Sequence, residues 1–262
     1  MLKRRLIPKL QLKSRQLGAV NRPILVTTVG FERVLDIGDP VSQAKIYEAQ
    51  AADELVLLDL DSGAPRNEAV LSVLRRIAQE IFMPFTVGGG VRTVDDFRVL
   101  LSAGADKVSI NTAAVADPGL IDAASLRFGA QCVVLSIDYR QHVDGRREVF
   151  VDGGRRATGL DPVAWAKEAV ARGAGEILLT SIERDGSRSG LDVDLIRQMV
   201  DAVDVPVIAA GGCGVARHFV EGFVQGGADA VASGTFFSFK DQNPMQTRAH
   251  IKNAGIPIRI HL

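Results

Sequence analysis

Short runs of aliphatic and β-branched residues alternate along this chain with longer stretches of helical periodicity. The runs are Leu6–Leu12, Glu54–Leu60, Phe85–Val87, Lys107–Ile110, Cys132–Ile137, Glu176–Ile182, Val207–Ala209 and Ala230–Ala232. Several are apolar on both faces, as in ELVLLDL and EILLTSI. Continuous apolarity suits parallel strands covered by helices rather than half-wet antiparallel ones.

Helical patterns fill the intervals: Asp39–Ala52, Asn67–Ile81, Thr93–Ala103, Asp117–Phe128, Asp161–Arg172, Asp192–Val203, Ala216–Gln225 and Asn243–Asn253. Thr93 and Asp117 stand at expected N-cap positions, and Pro40 and Pro118 lie just inside helix starts. Gly104, Gly129, Gly173 and Gly255 follow the helices as left-handed caps do. Eight strand–helix units joined by right-handed crossovers close most simply as a single (βα)8 TIM barrel spanning residues 1–262. A doubly wound open sheet is the alternative. A chain of 262 residues fits one such domain.

An internal repeat divides the barrel into two similar half-barrels. MPFTVGGGVRTVDDFRVLLSAGADKVSINTAA aligns with VPVIAAGGCGVARHFVEGFVQGGADAVASGTFF, and DELVLLDLDSG with GEILLTSIERDG. The bland explanation is that Gly-Ala-Asp recurs wherever a helix turns into a strand. Two segments stand apart. Ser14–Gly38 reads as a long loop at the barrel rim, where such folds keep their active sites. Tyr139–Gly159 holds Asp144-Gly145, the signature of a small hairpin, and a further turn at Asp152-Gly153-Gly154.

Charge and composition narrow the function. Lys+Arg and Asp+Glu both number 31. This balance argues against a nucleic-acid or acidic-membrane surface while permitting a local anion site. The two cysteines, Cys132 and Cys213, form no disulfide framework and suit a reducing cytoplasm. The basic start lacks the apolar core of a signal peptide, and no apolar stretch is long enough to span a membrane. His142, His218, His250 and His261 are scattered, so no metal site is expected, and no nucleotide-binding glycine fingerprint is present.

Candidate chemistry lies at the C-terminal strand ends. Gly89-Gly90 with Asn111-Thr112, and Gly211-Gly212 with Ser233-Gly234, form equivalent sets in the two halves. Backbone N–H groups in tight turns bind phosphate oxygens, and glycine lets them approach. Two facing sets suit a substrate phosphorylated at both ends. The alternative is that tight turns simply need glycine. Asp138 ends an apolar strand and is a candidate general acid or base, the alternative being a loop-capping carboxylate. Asp185-Gly186 reads equally as a turn or a ligand contact. Arg5, Lys107 and Glu176 mark strand starts at the opposite end, where charge usually stabilises the barrel bottom.

Longer motifs carry a resemblance. GDP at 38–40, DELVLLD at 53–59, PFTVGGGVR at 84–92, GADKVSINTAAV at 104–115 and RGAGEILLTSIERDGSRSG at 172–190 resemble the HisF family, the cyclase subunits of imidazole glycerol phosphate synthase. The resemblance implies a barrel, no cofactor, and a glutaminase subunit as partner. It implies ammonia passing through the barrel to a bisphosphorylated ribulosyl-aminoimidazole nucleotide, which yields imidazole glycerol phosphate in histidine biosynthesis. It implies that Asp138 is one of two catalytic aspartates and that Asp185 and Gly186 contact substrate phosphate. It also implies that Arg5, Lys107 and Glu176 belong to a four-membered charged gate, whose fourth position it puts on the first helix, at Ala49 beside Glu48.

Two departures accompany it. Gln11, in KLQLKSR, stands where the family carries its strand-one aspartate, in a run like CLDVKDG. The following loop, Gln16-Leu17-Gly18-Ala19, has no lysine in the family's register. An amide exchanges hydrogen bonds but does not transfer a proton as a carboxylate does. A side branch of the family fits this pattern: paralogues that conduct ammonia to a separate amidotransferase installing acetamidino groups on surface-polysaccharide sugars. The cyclase is the first expectation and the conducting paralogue the alternative.

Overall fold

The computed structural model describes residues 3–17, 20–239 and 242–259; Gly18, Ala19 and His261, named above, lie outside them. Eight parallel strands close a barrel in the order β1 (Arg5–Leu17), β4 (Leu55–Asp59), β5 (Phe85–Gly88), β6 (Lys107–Ile110), β7 (Val133–Gln141), β10 (Glu176–Ser181), β11 (Val207–Ala210) and β12 (Ala230–Ser233), with β12 returning to β1. These are the eight apolar runs, and closure onto β1 removes the open-sheet alternative. The helices α1 (Pro40–Ala49), α2 (Glu68–Glu80), α3 (Val94–Ser102), α5 (Gly119–Phe128), α6 (Pro162–Ala171), α7 (Val193–Ala202), α8 (Ala216–Val224) and α10 (Pro244–Asn253) fill the expected intervals.

Local chemistry fixes these elements. Thr93 caps α3 in a full capping box with Asp96, and Asp161 caps α6 through two backbone N–H groups. Asp117 falls one residue short of the expected cap: Pro118 takes that position, while the Asp117 carboxylate accepts from Gly119 N at 3.0 Å. The helices bury one face on the sheet, and Leu74, Ile77, Phe97, Leu100 and Phe219 are fully buried there. Each such side chain contributes roughly 1.5–3 kcal/mol.

Two features differ from the sequence expectation. Residues 14–17 and 20–38 are not a loop. They continue β1 to Leu17 and form β2 (Val20–Val29) and β3 (Arg33–Gly38), an antiparallel extension with β1 and β2 paired from Gln11–Val26 outward. The run Ile24–Val29 is β-branched and aliphatic, and Leu25, Val26, Thr27 and Thr28 are buried on the barrel, so burial rather than a tight-turn motif orders the segment. Two short helices, α4 (Thr112–Ala116) and α9 (Thr235–Ser238), follow β6 and β12 at equivalent places. The hairpin expected around Asp144-Gly145 is present: β7 pairs antiparallel with β8 (Arg147–Val151), and β8 with β9 (Arg156–Ala157).

Candidate active site

Inward-facing residues of alternate strands stack in layers along the barrel axis. At the N-terminal ends of the strands, Arg5, Glu54, Lys107 and Glu176 form a closed ring of alternating charge. Arg5 reaches Glu54 and Glu176 at 2.7 Å each, and Lys107 reaches Glu54 at 3.1 Å and Glu176 at 2.7 Å. Burial alone would raise the Glu54 pKa, but Arg5 and Lys107 hold it below the usual carboxylate value. Burial likewise works to lower the Arg5 pKa, and its two glutamate neighbours hold it above the ordinary value instead. The fourth member of the ring is thus Glu54, not a position on the first helix. Ala49 merely ends α1, and the Glu48 carboxylate accepts from Met83 N at 3.0 Å. The signal was in the repeat: aligning DELVLLDLDSG with GEILLTSIERDG sets Glu54 opposite Glu176.

Above the ring lies an apolar belt formed by Ile7, Val56, Val134, Leu178, Ile208 and Ala230. Ser109, one inward step above Lys107 as Ile7 is above Arg5, and Thr86, which pairs with both Lys107 and Val56, place two buried hydroxyls at the level of the belt. Above it the lining turns polar, with Ser136, Thr180 and Lys9 buried. The Lys9 ammonium lies 2.9 Å from Asp185 Oδ1, with the two side chains only 3% and 7% exposed. Asp185 Oδ2 accepts from the Thr28 hydroxyl at 2.5 Å, and Gln11 Nε2 donates to Thr28 Oγ1 at 3.1 Å. Lys9, Asp185, Thr28 and Gln11 therefore form one buried polar chain across β1, β2 and the turn after β10. Lys9 carried no signal of its own in the sequence, although it shares the inward face of β1 with Arg5, Ile7 and Gln11.

Asp138 lies across the mouth, at the point where β7 leaves the barrel and runs on to Gln141 in the hairpin with β8. Its carboxylate accepts from Asn111 Nδ2 at 2.8 Å. Surrounding protein pushes its pKa up from 3.8 to about 6, against the attraction of Lys9 and the Asn111 hydrogen bond. The backbone register shows that Asp138 and Gln11 are equivalents in the two halves: Asp138 pairs with Thr180 as Gln11 pairs with Leu58. One step back on each strand, Lys9 pairs with Val56 as Ser136 pairs with Leu178.

The rim turns repeat the same symmetry. Gly89 has φ +111°, and a Cβ there would sit 2.2 Å from the backbone oxygen of Asp59. Gly211 has φ +86°, and its Cβ would sit 2.5 Å from the backbone oxygen of Ser181, the equivalent of Asp59. Gly90 and Gly212 press on Ser62 and Gly190 in the same manner. Asn111 and Thr112 open α4 beside the first turn, with the Thr112 hydroxyl accepting from Asp152 N at 3.0 Å. Ser233 and Gly234 precede α9 beside the second. Lys9, Gly186, Gly211, Gly212, Ser233 and Gly234 share one cavity. Asp185 lines the same cavity, with its carboxylate held by Lys9 and Thr28. A separate cleft beside Arg22–Ile24 and Asp36–Pro40 contains none of these residues.

The sequence pattern of the family described as histidine biosynthesis protein matches residues 5–242. A Prochlorococcus marinus (strain MIT 9313) protein named "Putative imidazole glycerol phosphate synthase subunit hisF2" is 51% identical over 260 residues, covering 99% of each chain. With a closed eight-stranded barrel, duplicated glycine turns and the HisF-like motif string, this chain belongs to the histidine biosynthesis protein family, as a HisF-like member.

Proposed function

We propose that this barrel is the ammonia-using subunit of a glutamine-dependent synthase. A glutaminase docks at the end carrying the ring, and a substrate with a phosphate at each end lies across the opposite mouth. The observation that carries this reading is the stacking of one axis: a neutral ring of four charges, an apolar belt above it, and a polar mouth between two equivalent glycine turns. Neutral ammonia crosses an apolar belt at far lower cost than an ion does. In this reading the ring Arg5–Glu54–Lys107–Glu176 is the gate, and Gly89, Gly90, Asn111 and Thr112 hold one phosphate. Gly186, Gly211, Gly212, Ser233 and Gly234 hold the other, and Asp138 supplies proton transfer for cyclisation of a ribulosyl-aminoimidazole nucleotide to imidazole glycerol phosphate. A carboxyl poised near pH 6 suits acid–base work.

One observation favours a second reading for the final step. Gln11 is buried and tied to Thr28, so the position equivalent to Asp138 carries an amide where cyclisation divides the work between two carboxylates. The barrel then conducts ammonia to a separate amidotransferase making acetamidino sugars, and cyclises slowly if at all. The glutaminase reading, common to both, is tested by co-expression with a glutaminase subunit of an imidazole glycerol phosphate synthase. The two should copurify, and reversing the charges of Lys107 and of its exposed neighbour Asp106, just outside the ring, should weaken the complex. A wild-type barrel that never retains the glutaminase would overturn it.

A further inference from the structure

The ammonium of Lys9 has three N–H donors, and among the described residues only one of them is used, on Asp185 Oδ1 at 2.9 Å. The ring of Phe31 lies 5.9 Å away on another side. Two donors thus remain in a nearly fully buried place, where an unused donor is costly. They are next to the cavity bounded by Gly211, Gly212, Ser233 and Gly234. The Lys9 chain runs along the floor of that cavity: its Cε would be 3.7 Å from a Cβ placed on Gly234. Asp185 is held from its other side by Thr28, so it stays in place if Lys9 shares its charge with a second anion. The residue equivalent to Lys9 is Ser136 on β7, which carries no charge.

From this juxtaposition we infer that Lys9 is a binding and specificity-determining residue of the second-half pocket, where it supplies the cation for a phosphate monoester. The inference rests on the phosphate reading of the two glycine turns and adds an inequality to it. The cation at the first-half turn, Arg66, is half-exposed and already engaged by the Gly90 carbonyl and Asp96. The second-half pocket adds a buried ammonium, so it holds the more highly charged or more tightly anchored end of the substrate. An ammonium–phosphate contact is charge-assisted and therefore shorter and stronger than a neutral one.

Inorganic phosphate is the probe, with the whole chain as the protein. Isothermal titration measures affinity, and crystals grown in phosphate identify the occupied turn. The key variant is the double exchange Lys9→Met with Asp185→Asn, which removes both charges together and leaves no lone buried ion. Wild type is expected to bind two phosphates, with an oxygen at hydrogen-bond distance from Lys9 Nζ in the second pocket. The double variant should lose roughly 10- to 100-fold in affinity there, the effect of one hydrogen bond to a charged group, and keep the Gly89–Gly90 site. Asp185→Asn alone, which leaves the ammonium without its carboxylate, should tighten the second site. Wild type and double variant binding equally at both turns would overturn the role of Lys9 and leave the phosphate reading standing. A wild type empty at both turns would overturn that reading and the inference with it.

Discussion

In the first half of the barrel, Gly89 and Gly90 press their backbone against Asp59 and Ser62; in the second, Gly211 and Gly212 press against Ser181 and Gly190. The strand ends beside these turns are not alike. One half presents Asp138 above Ser136, the other Gln11 above Lys9. Anion-binding turns are written in backbone conformation, which a duplicated sequence preserves wherever glycine is kept. Proton transfer is written in single side chains, which one substitution removes. The comparison therefore separates what the two halves share, a pair of tight glycine turns, from where they differ, a carboxylate in one and an amide with a buried ammonium in the other.

The shared part should be the harder to disturb without damage. Gly212→Ala places a Cβ 2.1 Å from the Gly190 oxygen at φ +118°. Thermal or denaturant unfolding should show a loss of order 3 kcal/mol or more, with phosphate binding at that turn abolished. A variant as stable as wild type would show that the turn is not constrained as described.

Comparable in size is the ring at the far end, where the two halves meet through Glu54 and Glu176. Glu54→Gln leaves Arg5 and Lys107 short of a partner in a buried setting and should cost about 3–5 kcal/mol near neutral pH. Because the folded state holds the Glu54 pKa below its ordinary value of 4.5, its contribution is complete above that value. It is lost as pH falls through the lowered folded value, so the gap between wild type and variant should close in acid. An unchanged gap in acid would count against ionised Glu54 as the source.

Asp138 should behave in the opposite sense. Its folded pKa of about 6 stands above the ordinary 3.8, so ionisation disfavours the folded state. Below pH 4 Asp138→Asn should match wild type. Between about 4 and 6 the variant should gain on wild type, to a plateau of about 3 kcal/mol above pH 6. Chemical denaturation across this range checks it, and a gap that narrows with rising pH would reverse the assignment.

The barrel was legible in the sequence because its strands are apolar on both faces, a pattern that only a covered parallel sheet explains. The matched glycine turns were legible because glycine pairs recur at matched places in a repeat. The β2–β3 extension was not, since its Gly and Pro residues punctuate a segment whose order comes from burying Leu25 and Val26 against the barrel. Lys9 and Glu54 were missed for a different reason. One strand's alternation tells which face a residue shares but not which layer of the lumen it reaches, or whose charge it meets there. Glu54 needed the repeat to be read across the ring, and Lys9 needed Asp185, which arrives from a turn 176 residues away.

The central claim, that proton chemistry survives in one half of the mouth only, is tested most directly by cyclisation turnover of the ribulosyl-aminoimidazole nucleotide at saturating ammonium without glutaminase. Loss of one acid–base group typically costs about 10²–10⁴-fold. Wild type is therefore predicted to turn over slowly or not at all, and Gln11→Asp to raise the rate while both phosphate turns still bind. Wild-type turnover of order 1 per second or more, the range of ordinary enzymes, would contradict the account.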